Sequence, residues 1–311
     1  MFSLFKKKNN NPEIPNWASA FDEKEYSTFR SELDSYFDKL NVDYKIGDGV
    51  IEISENIFGF GILGLTNVLQ FCKQEKPSLY RHIISEHFDS MLRAHKFDDE
   101  FNKIVSDFEK IKQYIGVRLY DNEYVANIGQ ELTIGQNFAG DIYSMVVFDL
   151  PDSVINIKPE QTDKWNKTNE ELFAIGINNI KAKYPFSISQ KNFGEFDIWF
   201  IQGEHFFTAN IVFEFENRKE LIGSKGSLIG LPHRHSAIIY PIENLEVVKA
   251  INGIIPTIYG MNQEGPGSLS NKLFWYRDGI YTELPYKFED GKLQFFPPDN
   301  FVELLNELKA K

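Results

Sequence analysis

Pro232-His233-Arg234-His235 is the segment of this 311-residue chain whose residue types and spacing point most directly to chemistry. On an extended backbone His233 and His235 project to one face, about 6.6 to 7 Å apart along the strand. Two imidazoles at that spacing could share a divalent metal. A catalytic zinc needs a third protein ligand, and His205 or Glu204 is the neighbouring residue that could supply it. The chemistry would then be metal-assisted hydrolysis. Arg234 projects to the opposite face, suited to a carboxylate or a phosphate. The plainer reading, preferred here, is a polar strand entry whose histidines are hydrogen-bonded within the fold.

Other segments invite chemistry and are refused by their context. GFGILG, Gly59 to Gly64, has the letters of a dinucleotide-binding loop, but that loop follows a buried parallel strand and opens a helix. Here it follows the return arm of a hairpin, so a turn packed closely against a helix is expected. His82, Glu86, His87 and His95 share a helical segment without forming HExxH; five residues turn a helix by about 500°, so His82 and His87 diverge. GSKGS, Gly223 to Ser227, is neither a nucleophile elbow nor a phosphate loop and reads as a strand connection. GPGSLS, Gly265 to Ser270, reads as an open loop. Cys72 is expected to be a small buried hydrophobe. No nucleophile, base and orienting group fall together, so no catalytic residue is assigned.

The elements that must position these residues are clearest from Asp141 to Ser187. Tyr143 to Leu150 is a short Val- and Phe-rich run closed by Pro151, which suits a buried strand. Thr168 and Glu171 form a capping box, so a helix begins at Asn169. Leu172, Phe173, Ile175, Ile177 and Ile180 give it one wide apolar stripe, and Pro185 ends it.

Before this stretch the chain reads as mainly helical. Residues 1–16 are expected to be a flexible tail, and Phe29, Leu33, Tyr36, Phe37 and Leu40 share one helical face. Val42 to Ile46 and Val50 to Ile53 flank Gly47-Asp48-Gly49 as a hairpin. Helices are expected over Leu63 to Lys73, Pro77 to Ala94 and Phe97 to Tyr114. After the stretch, strands are expected at Phe196 to Gln202, Phe206 to Phe215, Ser227 to Leu231 and Ser236 to Pro241. Glu243 to Tyr259 reads as a helix disturbed at Gly253 and Pro256. Asp278-Gly279 and Asp290-Gly291 mark two hairpins, and Asp299 is expected to cap a last helix.

Composition narrows the class. Lys and Arg number 33 against 45 Asp and Glu, a net charge of −12, which repels a phosphate backbone; no nucleic acid partner is expected. One cysteine rules out an internal disulfide framework and fits a reducing, cytoplasmic setting. The opening MFSLFKKK places its charges after a very short apolar start, unlike an export signal. No stretch reaches the ~18 apolar residues of a membrane span.

The stretches SVINIKPEQTDKWNKTNEELFAIGINNI, PHRHSAIIYPI and LSNKLFWYRDGIYTEL resemble the DUF1444 family of bacterial proteins. The resemblance covers most of residues 40 to 290, and the first 40 residues lie outside it. It implies a cytosolic bacterial protein with both helices and strands. The family has no established activity, so no site residues are carried over.

The fold expected is α+β, a helical N-terminal part followed by a largely antiparallel sheet flanked by helices. The expected division is a tail over 1–16, a mainly helical part with one hairpin over 17–115 and a sheet domain over 116–311. The expected function is non-enzymatic binding or regulation, with another protein or a small ligand as partner and no cofactor. The alternative is the metal-assisted hydrolase on His233 and His235.

Overall fold

The structure, a computed structural model, describes residues 14–264 and 267–310. MFSLFKKK therefore lies outside the described residues, as does Gly265-Pro266 of the GPGSLS loop. The chain divides into two compact units: the residues up to Asn102 with Pro151–Ser153, and Lys103–Leu150 with those from Val154 onward. The fold is α+β, and every strand pairing in the described sheets is antiparallel.

In the first unit helix α1, Glu23–Leu40, starts on a capping box in which Asp22 and Glu25 exchange side-chain and backbone hydrogen bonds. Strands β1 (Tyr44–Ile46), β2 (Val50–Ile53) and β3 (Ile62–Gly64) form a three-stranded sheet. Helices α2 (Thr66–Lys73) and α3 (Tyr80–Ile104) follow. Phe29, Leu33 and Phe37 of α1 share a core with Tyr80, Ile84 and Phe88 of α3 and with Ile51 and Leu63 of the sheet. Ile14 and Trp17 pack against it, so the expected tail is ordered by residue 14.

Three expectations in this unit need correction. The last residues of GFGILG are strand β3, paired with β2, so Leu63 belongs to a sheet and α2 begins at Thr66. The expected turn does occur ahead of it, with Gly59 at φ 80°. Pro77 opens a single 3₁₀ turn, after which α3 runs without a break through the expected gap at His95 and Lys96. Neither Gly nor Pro occurs between Ser78 and Ile115, so nothing in the backbone stops the helix there.

The second unit has four layers. Its elements are α4 (Phe108–Ile111), β4 (Ile115–Asp121), α5 (Asn122–Ile128), β5 (Gly135–Ala139), β6 (Ile142–Asp149) and β7 (Val154–Asn156). Then come α6 (Pro159–Thr162), α7 (Asn169–Lys183), β8 (Ser187–Asn192), β9 (Asp197–Gln202), β10 (Ser227–His233), β11 (Ser236–Pro241) and α8 (Val247–Glu264). The chain closes with β12 (Leu273–Arg277), β13 (Ile280–Leu284), the β14 (Tyr286–Glu289) and β15 (Lys292–Phe295) hairpin, and α9 (Asp299–Lys309). One sheet has the order β4-β6-β5 with β7 also on β6; the other runs β13-β12-β10-β11-β9-β8.

Strand alternation sorts the side chains between the layers. Leu228, Ile238, Leu273 and Trp275 face α8 and α9, where they meet Ile251, Ile254, Ile258, Phe301 and Leu304. Their neighbours Ile229, Ile239 and Phe274 face the other way, toward Leu119 and Ile142 of the smaller sheet. The far side of that sheet, with Tyr120, Tyr143, Met145 and Val147, takes Ile180 of α7.

The Thr168–Glu171 capping box forms as read, and α7 starts at Asn169. Its buried line is narrower than the apolar stripe: Leu172, Gly176 and Ile180, at i, i+4 and i+8. Gly176 lies so close to β4 that a Cβ there would come within 2.7 Å of the Gly116 carbonyl carbon. Helix and strand meet with no side chain between them.

Phe206 to Phe215, expected as a strand, is instead a 3₁₀ helix over Thr208–Asn217. With three residues per turn, it buries two of its three rows, Thr208/Ile211/Glu214 and Ala209/Val212/Phe215. Apolar residues on adjacent positions satisfy that pattern as well as they satisfy a buried strand, which is why the run misleads. Asp299 also differs: it is the first residue of α9 behind Pro298 and makes no cap hydrogen bond. Asp278-Gly279 and Asp290-Gly291 do make the two hairpins, all four residues having positive φ.

Candidate anion-binding site

Among the described residues strand β4 pairs only with β6, so its other edge would leave alternate carbonyls open. Side chains close it. Asn179 of α7 donates to the Ile115 carbonyl at 2.8 Å, Asn210 of the 3₁₀ helix to that of Val117 at 2.7 Å, and Arg234 Nε to that of Leu119 at 3.1 Å. Arg234 is thereby held against the edge of β4.

The hairpin that carries Arg234 is itself irregular. Pairing of β10 with β11 shifts between Gly230 and His233, and Pro232, which has no N–H for the ladder, lies inside that shift. Arg234 and His235 form the turn before Ser236, neither with positive φ. The backbone of Arg234 is fastened on both sides, its N–H donating to Gly267 and its carbonyl accepting from Ala209, each at 3.1 Å.

Because these residues turn instead of extending, His233 and His235 do not make the open bite that the metal alternative needs. Their ring centroids are 6.1 Å apart, but His233 uses both nitrogens internally. Its Nδ1 accepts from the His235 N–H and its Nε2 lies against the Ser236 hydroxyl, both at 3.3 Å. His205 is likewise engaged, Nδ1 accepting from the Phe207 N–H and Nε2 lying 2.9 Å from the Pro185 carbonyl. Glu204 is exposed. Among the described residues no group of three or more His, Cys, Asp or Glu is placed to hold a metal ion. Burial, with His235 adding to it, pushes His233 down to about 4.

What the fold gathers around Arg234 is a second arginine. Arg118 of β4 lies 5.2 Å from the Tyr120 ring centroid, and Arg234 lies 5.1 Å from the same centroid. Tyr120 is stacked on Tyr124 at 4.8 Å. Arg118 also lies 5.1 Å from the ring of Phe206, and His235 meets that ring edge-on at 5.1 Å. The aromatic faces partly offset two like charges. Carboxylates do so only weakly: among the described residues Arg118 makes no ion pair, and Arg234 reaches Asp121 at 4.0 Å. Asp121 also caps α5 through the Tyr124 N–H at 2.7 Å.

Burial, and then the charge of Arg118, push Arg234 down to about 10. His235 is pushed down by burial and by His205, Arg118 and Arg234, so it is neutral at pH 7. Two polar atoms at this place are buried without a hydrogen-bond partner, Arg118 Nε and His235 Nε2. Such atoms cost about 1–3 kcal/mol each when left unpaired. Two under-neutralised guanidiniums beside an uncharged imidazole can hold an oxyanion, with Arg118 Nε offering an unpartnered N–H donor.

Sequence reading singled out Arg234 and His235 but passed over Arg118, Tyr120 and Phe206. The signal for β4 was available as the alternation of Ile115, Val117 and Leu119, which leaves Arg118 and Tyr120 together on the opposite face. The helical motif residues do not assemble: His82 is exposed, His87 lies edge-on to Phe88, and His95 lies over Gly59.

No family model matches the chain, and no solved structure matches it. A stretch of 80 residues is 31% identical to autophagy-related protein 11 of Debaryomyces hansenii. That stretch is 26% of this chain and 6% of that protein, too small a share to show a family.

Proposed function

We propose that this chain is a non-enzymatic binding protein whose ligand is a small anion held between Arg118 and Arg234. The observation that carries the reading is the pair of guanidiniums on one Tyr120 ring with a single carboxylate at 4.0 Å. Few folds place two cations together in a half-buried site without acids to match, because each loses hydration there. An anion supplies the missing charge. The site is local, so it does not conflict with a net charge of −12.

The hydrolase on His233 and His235 is the weaker reading, since both ring nitrogens of His233 have partners inside the hairpin. Membership of the DUF1444 family and a cytoplasmic setting belong to the proposal as well. They rest on the quoted stretches and on the one cysteine, Cys72, which is buried. No helix among the described residues is long and apolar enough to cross a membrane.

The test is calorimetric titration of the purified chain with inorganic phosphate, sulfate and citrate at constant ionic strength, alongside Arg118→Met. Saturable binding of at least one anion, weakened tenfold or more by the substitution, is the expected result. Binding to none of them, or equal binding by the variant, overturns the reading.

A further inference from the structure

Pro285, with no N–H for a ladder, separates β13 from β14, and where the chain leaves the six-stranded sheet for the β14–β15 hairpin it walls a cavity of about 310 Å³. That lies at the lower end of the about 300–1,000 Å³ of small-molecule sites, which suits a small ligand. Three aromatic rings line it, Tyr259 from α8 and Tyr286 and Phe288 from β14. Phe288 meets Tyr259 at 67° with centroids 5.4 Å apart, and meets Tyr286 at 78° and 5.8 Å. Rings at such angles form walls instead of a stack. Tyr259 is 43% exposed and Phe288 41%, so their apolar surface is left to water until something fills the space.

Charge decides which sign of ligand those walls suit. Lys272 and Glu283 also line the cavity and pair at 2.8 Å. The ammonium of Lys272 takes Oε2, and among the described residues Glu283 Oε1 has no hydrogen-bond partner. The Lys272 N–H donates to Ser270 Oγ at 3.1 Å, and that hydroxyl donates to Asp141 at 2.6 Å, which brings a second carboxylate to the same corner. Lys287 lies by strand alternation on the face of β14 opposite Tyr286 and Phe288. Its ammonium is taken up there, 3.1 Å from Glu289 and 5.7 Å from the Phe296 ring centroid. One lysine thus stands against two carboxylates beside three rings. An anion would meet repulsion from Glu283 and Asp141, whereas a cation finds Glu283 Oε1 open and the negative ring faces around it.

We propose that this cavity binds a small quaternary ammonium ion, seated against Tyr259, Tyr286 and Phe288 with Glu283 as its counter-ion. A quaternary ammonium has no N–H to satisfy, so walls made of ring faces suit it, whereas a primary ammonium gives up strong hydration on entering. The Tyr286 hydroxyl donates to the Asn271 carbonyl, which holds its ring in place as one of the walls. The cavity shares no lining residue with the Arg118 and Arg234 site and does not depend on it.

The experiment is calorimetric titration of the full chain with choline, with ethanolamine and with the neutral isostere of choline in which tert-butyl replaces trimethylammonium, at fixed ionic strength, alongside Tyr259→Leu and Glu283→Gln. The expected results are saturable choline binding at least tenfold tighter than that of either comparison compound, a loss of tenfold or more in Tyr259→Leu, which keeps apolar bulk without the ring face, and a severalfold loss in Glu283→Gln. No choline binding by the wild-type chain overturns the proposal. Equal affinity for the neutral isostere overturns the cation and leaves an apolar cavity, and equal affinity for ethanolamine overturns the quaternary preference. Unchanged choline binding by Tyr259→Leu overturns the placement, and unchanged binding by Glu283→Gln overturns the counter-ion. Circular dichroism checks that the variants are folded, and Phe288→Leu takes the place of Tyr259→Leu if that chain does not fold.

Discussion

Arg234 donates from Nε to the carbonyl of Leu119 at 3.1 Å, so one side chain both closes the open edge of β4 and contributes a charge to the candidate site. The sheet edge and the site are built from the same contact. Loss of the guanidinium is therefore expected to affect stability and binding together, whereas loss of Arg118, which makes no ion pair with a described residue, is expected to affect binding alone. Urea unfolding beside anion titration separates the two: a large loss of stability in Arg118→Met is the outcome that contradicts this division.

Asn210 makes the neighbouring edge bond, donating to Val117 at 2.7 Å. Asn210→Ala leaves that carbonyl without its partner and is expected to lower stability by about 1–3 kcal/mol. The midpoint of urea unfolding should fall with no change in the slope of the transition.

The approach of α7 to β4 gives a sharper contrast. A Cβ at Gly176 would sit 2.7 Å from the Gly116 carbonyl carbon, whereas one at Gly260 of α8 meets nothing within 4 Å. Gly176→Ala is expected to destabilise by about 1–3 kcal/mol through overpacking. Gly260→Ala is expected to stabilise by about 0.5–1 kcal/mol, because alanine is the better helix former. Thermal unfolding of the two variants tests this: shifts of the same sign would show that close helix–strand contact does not govern Gly176.

Acid sensitivity follows from the buried histidines. His233 is pushed from an ordinary 6.5 down to about 4 by burial, and His87 and His235 are pushed down as well. In the unfolded chain each binds a proton near its ordinary value, so between those limits the unfolded state holds more protons. Stability is then fully present above about 6.5 and is lost as pH falls toward 4. His233→Gln removes one of these protons, and its stability should decline less steeply over that window in equilibrium unfolding at a series of pH values.

Cys72 is wholly buried, and burial pushes its thiol up to about 12. The folded chain is expected to resist iodoacetamide at pH 8 while the urea-unfolded chain reacts within minutes, as mass spectrometry would register. Rapid labelling of the folded chain would instead mean that the first unit opens readily.

Local chemistry made much of this fold legible from residues alone. Thr168 and Glu171 sit three apart and satisfy each other's backbone, so α7 begins at Asn169 whatever surrounds it. Asp-Gly pairs tolerate the positive φ that a two-residue hairpin demands, so the turns at 278–279 and 290–291 were set by type and order. Tertiary structure decided what depends on partners distant in the chain. Thr208–Asn217 became a 3₁₀ helix because two of its three rows are buried there, a choice that adjacent apolar residues leave open. Arg118 and Arg234 stand 116 positions apart by number and meet only because the edge of β4 needs a donor at Leu119, which the irregular β10–β11 turn supplies. The spacing of His233 and His235 suggested a metal, but spacing along an extended strand says nothing once the chain turns between them. Charge and burial at a site are properties of the assembled layers, and the anion site exists only at that level.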